Sequence, residues 1–209
     1  MKQFILSVIL FILFLPAFCQ PIPQIKKDLE STPDPMGYVK NTLKKKFKID
    51  TVTVVTTASF VGLEDSIAYN GKQGKVYGPF KKANCLLMVL GQLPNTFYHV
   101  SHILLDTTTF KPKFADSLAN RIIHKITSGS SSFESMARTY SSDNASIIKG
   151  GDLGWFIRGI MLPQLDRAIA NHKKGEIFKV WTAEGLHVVS INDDPKKDIG
   201  YALLLRIML

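Results

Sequence analysis

The sequence predicts an α+β fold, one sheet with helices packed over it, and three observations predict it. Apolar runs of strand length recur in the second half of the chain: YHVSHILL at 98–105, IFKVW at 177–181 and LHVVSI at 186–191. Between them the apolar period switches to that of a helix, with Ala115, Leu118, Ala119, Ile122, Ile123 and Ile126 at i, i+3, i+4, i+7, i+8 and i+11. Glycine and proline sit where these runs stop, and at 14 and 10 of 209 residues they are too few for a low-complexity chain.

Residues 1–19 (MKQFILSVILFILFLPAFC) read as an address. Lys2 gives a short basic start, residues 4–15 are apolar apart from Ser7, and Pro16 breaks the run. About 12 apolar residues are too few to cross a ~30 Å bilayer as a helix and suit a secretory signal. Cleavage is therefore expected after Cys19, with the mature chain in the periplasm or cell envelope. A lipid-modified Cys19 is the alternative, opposed by the bulky Phe18 before it. No later stretch is long and apolar enough for a transmembrane span. After cleavage Cys85 is the one thiol, and its setting in NCLLMVL reads as buried and inert.

Residues 20–36 hold four prolines and read as a flexible or extended leader; 38–48 are a basic stretch that could be a helix. TVTVVTT at 51–57, KVYGPF at 75–80 and CLLMVL at 85–90 read as strands. The helix after residue 113 ends at Gly129, and Ser131 or Ser132 can cap a second, carrying Phe133, Met136, Ala137 and Tyr140. The glycine-dense GGDLGWF follows at 150–156. Pro163 opens a third helix, with Lys173 and Lys174 expected in its last turn before Gly175.

The chain also echoes itself. Gly74-Lys75-Val76 leads, 12 residues on, to Leu86 in CLLMVL, as Gly175-Glu176-Ile177 leads to His187 in LHVVSI. The same step carries Leu90 to His102 and Ile191 to Leu203. Residues 74–90 thus read as the tail of an earlier, decayed copy, and 200–209 as the first strand of a further copy, with leucine where the central copy has histidine. The other reading is coincidence among short apolar strands.

Lysine and arginine number 26 against 17 acidic residues, a formal net charge of +9. That suits acidic partners, but the charges are spread and no basic block with interleaved aromatics marks a nucleic-acid binder. Two cysteines exclude a disulfide scaffold and a multi-cysteine zinc site.

SHILL at 101–105, FESMARTYSSD at 133–143, GGDLGWFIRGIMLPQLDRAI at 150–169 and KGEIFKVWTAEGLHVVSI at 174–191 follow one another in an order that resembles a parvulin-type peptidyl-prolyl cis/trans isomerase domain of the exported foldase kind. The resemblance spans 98–194. It implies a four-stranded antiparallel sheet with packed helices, preceded by an irregular region with a few strands at 20–97 and followed by a strand or tail at 195–209. It also implies a polar centre: His102 beside His187, Asp143 facing the substrate carbonyl and Thr182 bonded to a histidine. Some relatives carry cysteine where Asp143 stands. The proline ring would sit among Leu153, Phe156, Met161 and Leu165, the last commonly phenylalanine in the family. No cofactor and no metal are implied, and the substrates would be unfolded or extended proline-containing polypeptides.

The residues themselves leave alternatives open. The histidines suit bracing of a sheet as well as catalysis, Asp143 suits a cap or turn, and the four apolar residues suit plain packing. Asp106 opens the loop where a phosphate-reading relative would need a basic cluster, so a preference for phosphoserine-proline is not expected. His99, His124 and His172 read as surface or packing residues. The rival function is a non-catalytic holdase or assembly scaffold.

Overall fold

Two strands organise the chain. β3 (Cys85–Asp106) and β6 (Gly185–Met208) pair antiparallel from Cys85↔Met208 to Asp106↔Gly185. The structure, a computed structural model, describes residues 20–54 and 62–209. The leader at 1–19 and residues 55–57 of the expected strand lie outside the described residues.

Four shorter strands border this pair: β1 (Phe47–Thr53), β2 (Val76–Phe80), β4 (Asp152–Ile157) and β5 (Ile177–Trp181). At one end the order is β1-β6-β3-β2; at the other β4 joins the far edge of β3 and β5 the far edge of β6. Every pairing is antiparallel. Between the two ends the long strands have only each other. Pro94 lies in this two-stranded ribbon, and Gly91 and Pro195 stand at its margins, where the outer edge of their own strand is free, with register shifts at Val89/Gly91 and Leu93/Pro94. A proline is tolerated there because one side of each strand makes no ladder bonds. The runs expected as separate strands at 85–90 and 98–105 are therefore one, and the strand at 186–191 continues through the expected tail.

The helices are α1 (Ile22–Ser31), the single turn α2 (Pro35–Gly37), α3 (Leu63–Asn70), α4 (Pro112–Thr127), α5 (Phe133–Tyr140), α6 (Asn144–Ile147) and α7 (Pro163–Ala170). α1 corrects the leader reading. Its prolines fall at the N-cap and first turn, where no intrahelical N–H is needed, and Ile25 and Leu29 bury one face. A π-helical turn (Tyr38–Leu43) follows, closed by left-handed Lys44 at φ 51°. Ser132 caps α5 by accepting the Ser135 amide. α7 ends at Ala170, so Lys173 and Lys174 lie beyond it.

Each half of the sheet is covered on both faces. In the second half, α4 and α5 bury Leu118, Ile122 and Met136 against Ile103, Leu105, Leu186 and Val188, while α7 covers the opposite face. In the first half, α1 packs on Leu86, Leu205 and Ile207, and α3 on Cys85, Leu87, Val89 and Leu204. Each fully buried leucine or isoleucine contributes about 1.5–3 kcal/mol.

The echo is visible, with its register corrected. Gly74 N donates to Val89 O (2.8 Å) as Gly175 N does to Ile191 O (2.9 Å). Val89 thus stands where Ile191 does, so Cys85, not Leu86, stands where His187 does. The first hairpin is one residue shorter. Residues 199–208 lie between β1 and β3 and complete the first half's sheet. Opposite Leu87 they place Arg206, where His102 stands opposite Val189.

The core clusters of the second half lie wholly within 98–194, and those of the first half wholly outside it. The isolated segment 98–194 is therefore expected to melt in one cooperative transition by circular dichroism. A broad, non-cooperative melt would show that the ribbon and first half are integral to its stability.

Candidate active site

His102 and His187 come from the two central strands. His102 lies opposite Val189 and Leu104 opposite His187. Directly opposed residues share a face, so both rings lie on the α7 side, while Ile103 and Val188 point to α4. The two Nδ1 atoms are 3.2 Å apart, and the residues are 7% and 1% exposed.

Asp143 reaches this pair around the free edge of β3. After α5, Ser141 Oγ accepts the Leu104 amide (3.2 Å) and Ser142 N donates to Leu104 O (2.8 Å). Asp143 then caps α6, accepting the Ala145 amide at 3.1 Å, and its Oδ2 accepts from His102 Nε2 (2.8 Å) and Ser146 Oγ (2.5 Å). The chain returns through Gly151, whose oxygen accepts the His102 amide at 2.9 Å. At φ +86° a Cβ on Gly151 would stand 2.4 Å from His102 O, so the second glycine of GGDLGWF is required by the crossing.

Thr182, before the β5–β6 turn, places Oγ1 2.9 Å from His187 Nε2 and accepts the Glu184 amide at 3.1 Å. With both rings neutral, one direction of bonding gives every donor an acceptor. Thr182 O–H donates to His187 Nε2, His187 Nδ1–H to His102 Nδ1, and His102 Nε2–H to the Asp143 carboxylate. Burial, and after it the neighbouring His102, push the His187 ring down to about 4, against the pull of Asp143. Burial raises Asp143, but the bonds from Ser146 and His102 outweigh it and hold the carboxyl below its ordinary value. Burial thus moves His187 well below the ordinary histidine value of 6.5.

Leu153 and Phe156 on β4, Met161 in the turn after it and Leu165 on α7 belong to one cluster with Tyr98, Val100, Val189 and Ile191. The histidines continue the sheet floor of this cluster. Phe156 lies against Tyr98 with ring centroids 6.4 Å apart, and Leu165 is only 3% exposed. A cavity of about 390 Å³ between Phe110, Leu118, Ile122, Met136 and Tyr140 opens on the other face, away from the histidines.

His99, read as a surface or packing residue, is half-buried and takes two carboxylate partners. It bridges two strands, with Nε2 2.8 Å from Asp152 on β4 and Nδ1 2.9 Å from Asp193 on β6, and its ring lies over Trp155. Lys174 bonds Asp193 as well (2.8 Å). His99 stands three residues before His102, on the opposite face of the strand; only the register pointed to it, by placing it opposite Trp155 and Asp193. His172 is a packing residue, its Nδ1–H donating to Ala168 O at 2.7 Å and its ring stacked on Phe178.

Residues 87–195 match the PPIC-type PPIASE domain, over half the chain, and the chain belongs to that family. It is similar to the chaperone SurA of Bordetella avium, 36% identical over 111 residues, 52% of this chain and 22% of that protein. It is similar too to the foldase protein PrsA of Oceanobacillus iheyensis, 32% identical over 113 residues, 54% of this chain and 35% of that protein. The chain therefore spans well under two thirds of these relatives' length. Among solved structures, a PpiC-type peptidyl-prolyl cis-trans isomerase domain is 27% identical with a TM-score of 0.44, covering 51% of this chain and 94% of its own. No described helix is long and apolar enough to cross a membrane.

The His187 ring carries a pH prediction. Above about 6.5 it is neutral in both folded and unfolded chain. As the pH falls from 6.5 toward 4, the unfolded chain takes up a proton that the folded chain refuses. Its contribution is fully present above 6.5 and is lost as the pH falls to about 4, a loss on the order of 2–3 kcal/mol. Ring chemical shifts of His187 followed by NMR should stay neutral at pH 5.5; a midpoint near 6.5 would show that the ring is not desolvated.

Proposed function

We propose that the protein is an exported peptidyl-prolyl cis/trans isomerase that assists folding of envelope or secreted polypeptides, with His102, Asp143, His187 and Thr182 as its polar centre. The observation that carries this reading is the buried chain of bonds from Thr182 through both histidines to Asp143, beside an apolar cluster.

Rotation about an Xaa-Pro bond faces a barrier of ~18–20 kcal/mol and takes tens of seconds or longer unaided. No bond breaks, so neither metal nor coenzyme is needed. The task is to favour a twisted amide over a planar one. Leu153, Phe156, Met161 and Leu165 would hold the proline ring by burial. Asp143, with 23% of its side chain exposed, reaches solvent at one end of the network, as half-buried Thr182 does at the other, and Asp143 would face the carbonyl as that group turns. The bonds from His102 and Ser146 fix Asp143 in place and hold its charge, so the field on the twisting amide is set before substrate arrives.

Replacing His187 by leucine tests the role of the pair. Leucine suits the apolar surroundings of β6, and an orphaned partner on His102 costs about 1–3 kcal/mol, so the fold should survive. In a protease-coupled assay on an Ala-Xaa-Pro-Phe peptide, isomerisation should fall at least tenfold, while suppression of client aggregation stays nearly unchanged. Full isomerase activity in the folded variant would reduce the histidines to a structural brace.

Substrate charge gives a second test. Asp106 is held far below the usual carboxylate range by hydrogen bonds from Ser142, Thr108 and Thr109, so it stays ionised beside the site. A peptide with phosphoserine before proline is expected to react no faster than its unmodified twin. A large acceleration by phosphate would refute this specificity.

The holdase reading has its own support. The relatives include proteins named chaperones, and the ribbon exposes Leu93 at 59%. Activity lost with aggregation suppression intact would place both functions on one chain, the isomerase confined to the second half.

A further inference from the structure

The fold brings two lysine clusters of the sequence, 44–48 and 81–82, to one end of the sheet. Lys46 O accepts the Met208 amide (2.9 Å), and the turn at 81–84 closes on the same end, Asn84 O accepting the Leu209 amide (2.9 Å). Neighbouring strands lie about 4.8 Å apart, so the segment 44–48 and the turn 81–84 stand within roughly 10–15 Å of each other across three strands. Lys44, Lys46, Lys48, Lys81 and Lys82 are exposed and Lys45 is half-buried. Of the six only Lys48 has a carboxylate within ion-pair distance among the described residues, Asp50 at 2.8 Å. Met208, 38% exposed, lies among them.

We propose that this lysine-rich end docks on a membrane surface of anionic lipid headgroups. Three features favour lipid over other acidic partners. The cations are all lysine, flexible point charges suited to a fluid array of phosphates, where arginine forks suit fixed carboxylates or bases. No exposed aromatic side chain stands among them to stack on a nucleobase. An exposed methionine at the centre of the cluster adds apolar contact below the headgroup plane. The geometry gives the docking a consequence. β3 carries the chain from Cys85 at this end to His102, roughly 50 Å along the strand. A bilayer held at one end leaves the candidate active site at the other, turned toward whatever polypeptide approaches from solution. The inference does not depend on the isomerase reading.

The test is flotation of the purified full-length chain with vesicles. Phosphatidylcholine vesicles containing about a third phosphatidylglycerol should retain it at least tenfold better than pure phosphatidylcholine, and about 1 M salt, with its screening length of about 3 Å, should release it. Pure phosphatidylcholine reads any contribution of the apolar leader. The variant Lys44→Gln/Lys46→Gln/Lys81→Gln/Lys82→Gln removes four exposed charges whose side chains belong to no core cluster and lie far from the candidate site. It should lose most of the anionic-lipid retention while keeping its melting temperature and isomerase rate. Equal retention of the variant, or equal binding to neutral and anionic vesicles, would overturn the proposal. Tighter binding of the parent to DNA or polyglutamate than to anionic vesicles would overturn it in favour of that partner.

Discussion

The pairing of β3 with β6 is the constraint on which the rest depends. Their register fixes which side chains oppose one another along the molecule, from Cys85↔Met208 to Asp106↔Gly185. A slip of one residue would turn His102 and His187 from the α7 face to the α4 face and push Ile103 and Val188 off their core. Register is held at both ends by burial, since each half puts apolar residues on both faces of the sheet. The ribbon between them absorbs the irregularities. Pro94 and the register shift beside it sit where neither strand has an outer neighbour, so twist accumulates there without costing ladder bonds in either half.

The expected helices of the second half were legible because their periodicity and caps are local. Residues 115–126 declare their stripe, Ser132 its cap and Pro163 its start. The candidate site residues were legible through motif order, and the structure brings His102, His187, Asp143 and Thr182 into one bonded chain. What stayed hidden was non-local. α1 was masked by its prolines, although Ile22, Ile25 and Leu29 do recur with helical spacing. The continuity of β3 was masked by Gly91 and Pro94, residues that usually end strands and here mark an open edge. That residues 199–208 return to the first half could not be read locally at all, because their partners in β1 lie some 150 positions earlier.

The same separation explains the misread echo. Counting 12 residues from each Gly-Lys/Glu pair ignores that the first hairpin is one residue shorter. The backbone bonds of Val89 and Ile191 set the true equivalence. It puts Cys85 where His187 stands and Arg206 where His102 stands, so the two halves differ at their polar centres by chemistry and not by simple loss to leucine.

On the proposed reading, that difference separates a centre that acts from one that holds. Arg206 donates through Nε to Asp50 at 2.8 Å and through a terminal nitrogen to Glu64 at 2.9 Å, and Asp50 takes Lys48 as well. The guanidinium is raised by these carboxylates, and both carboxylates are lowered. Every charge there is answered within the fold, which leaves no unbalanced field for a ligand to feel. In the second half the chain of bonds runs one way and ends on a single carboxylate that no cation opposes while the rings stay neutral. Asp143 keeps part of its side chain in solvent, next to apolar residues that can take a proline ring. An oriented, incompletely answered charge beside an apolar cleft is what electrostatic catalysis of a bond rotation requires, and of the two polar centres on this sheet only the second has it.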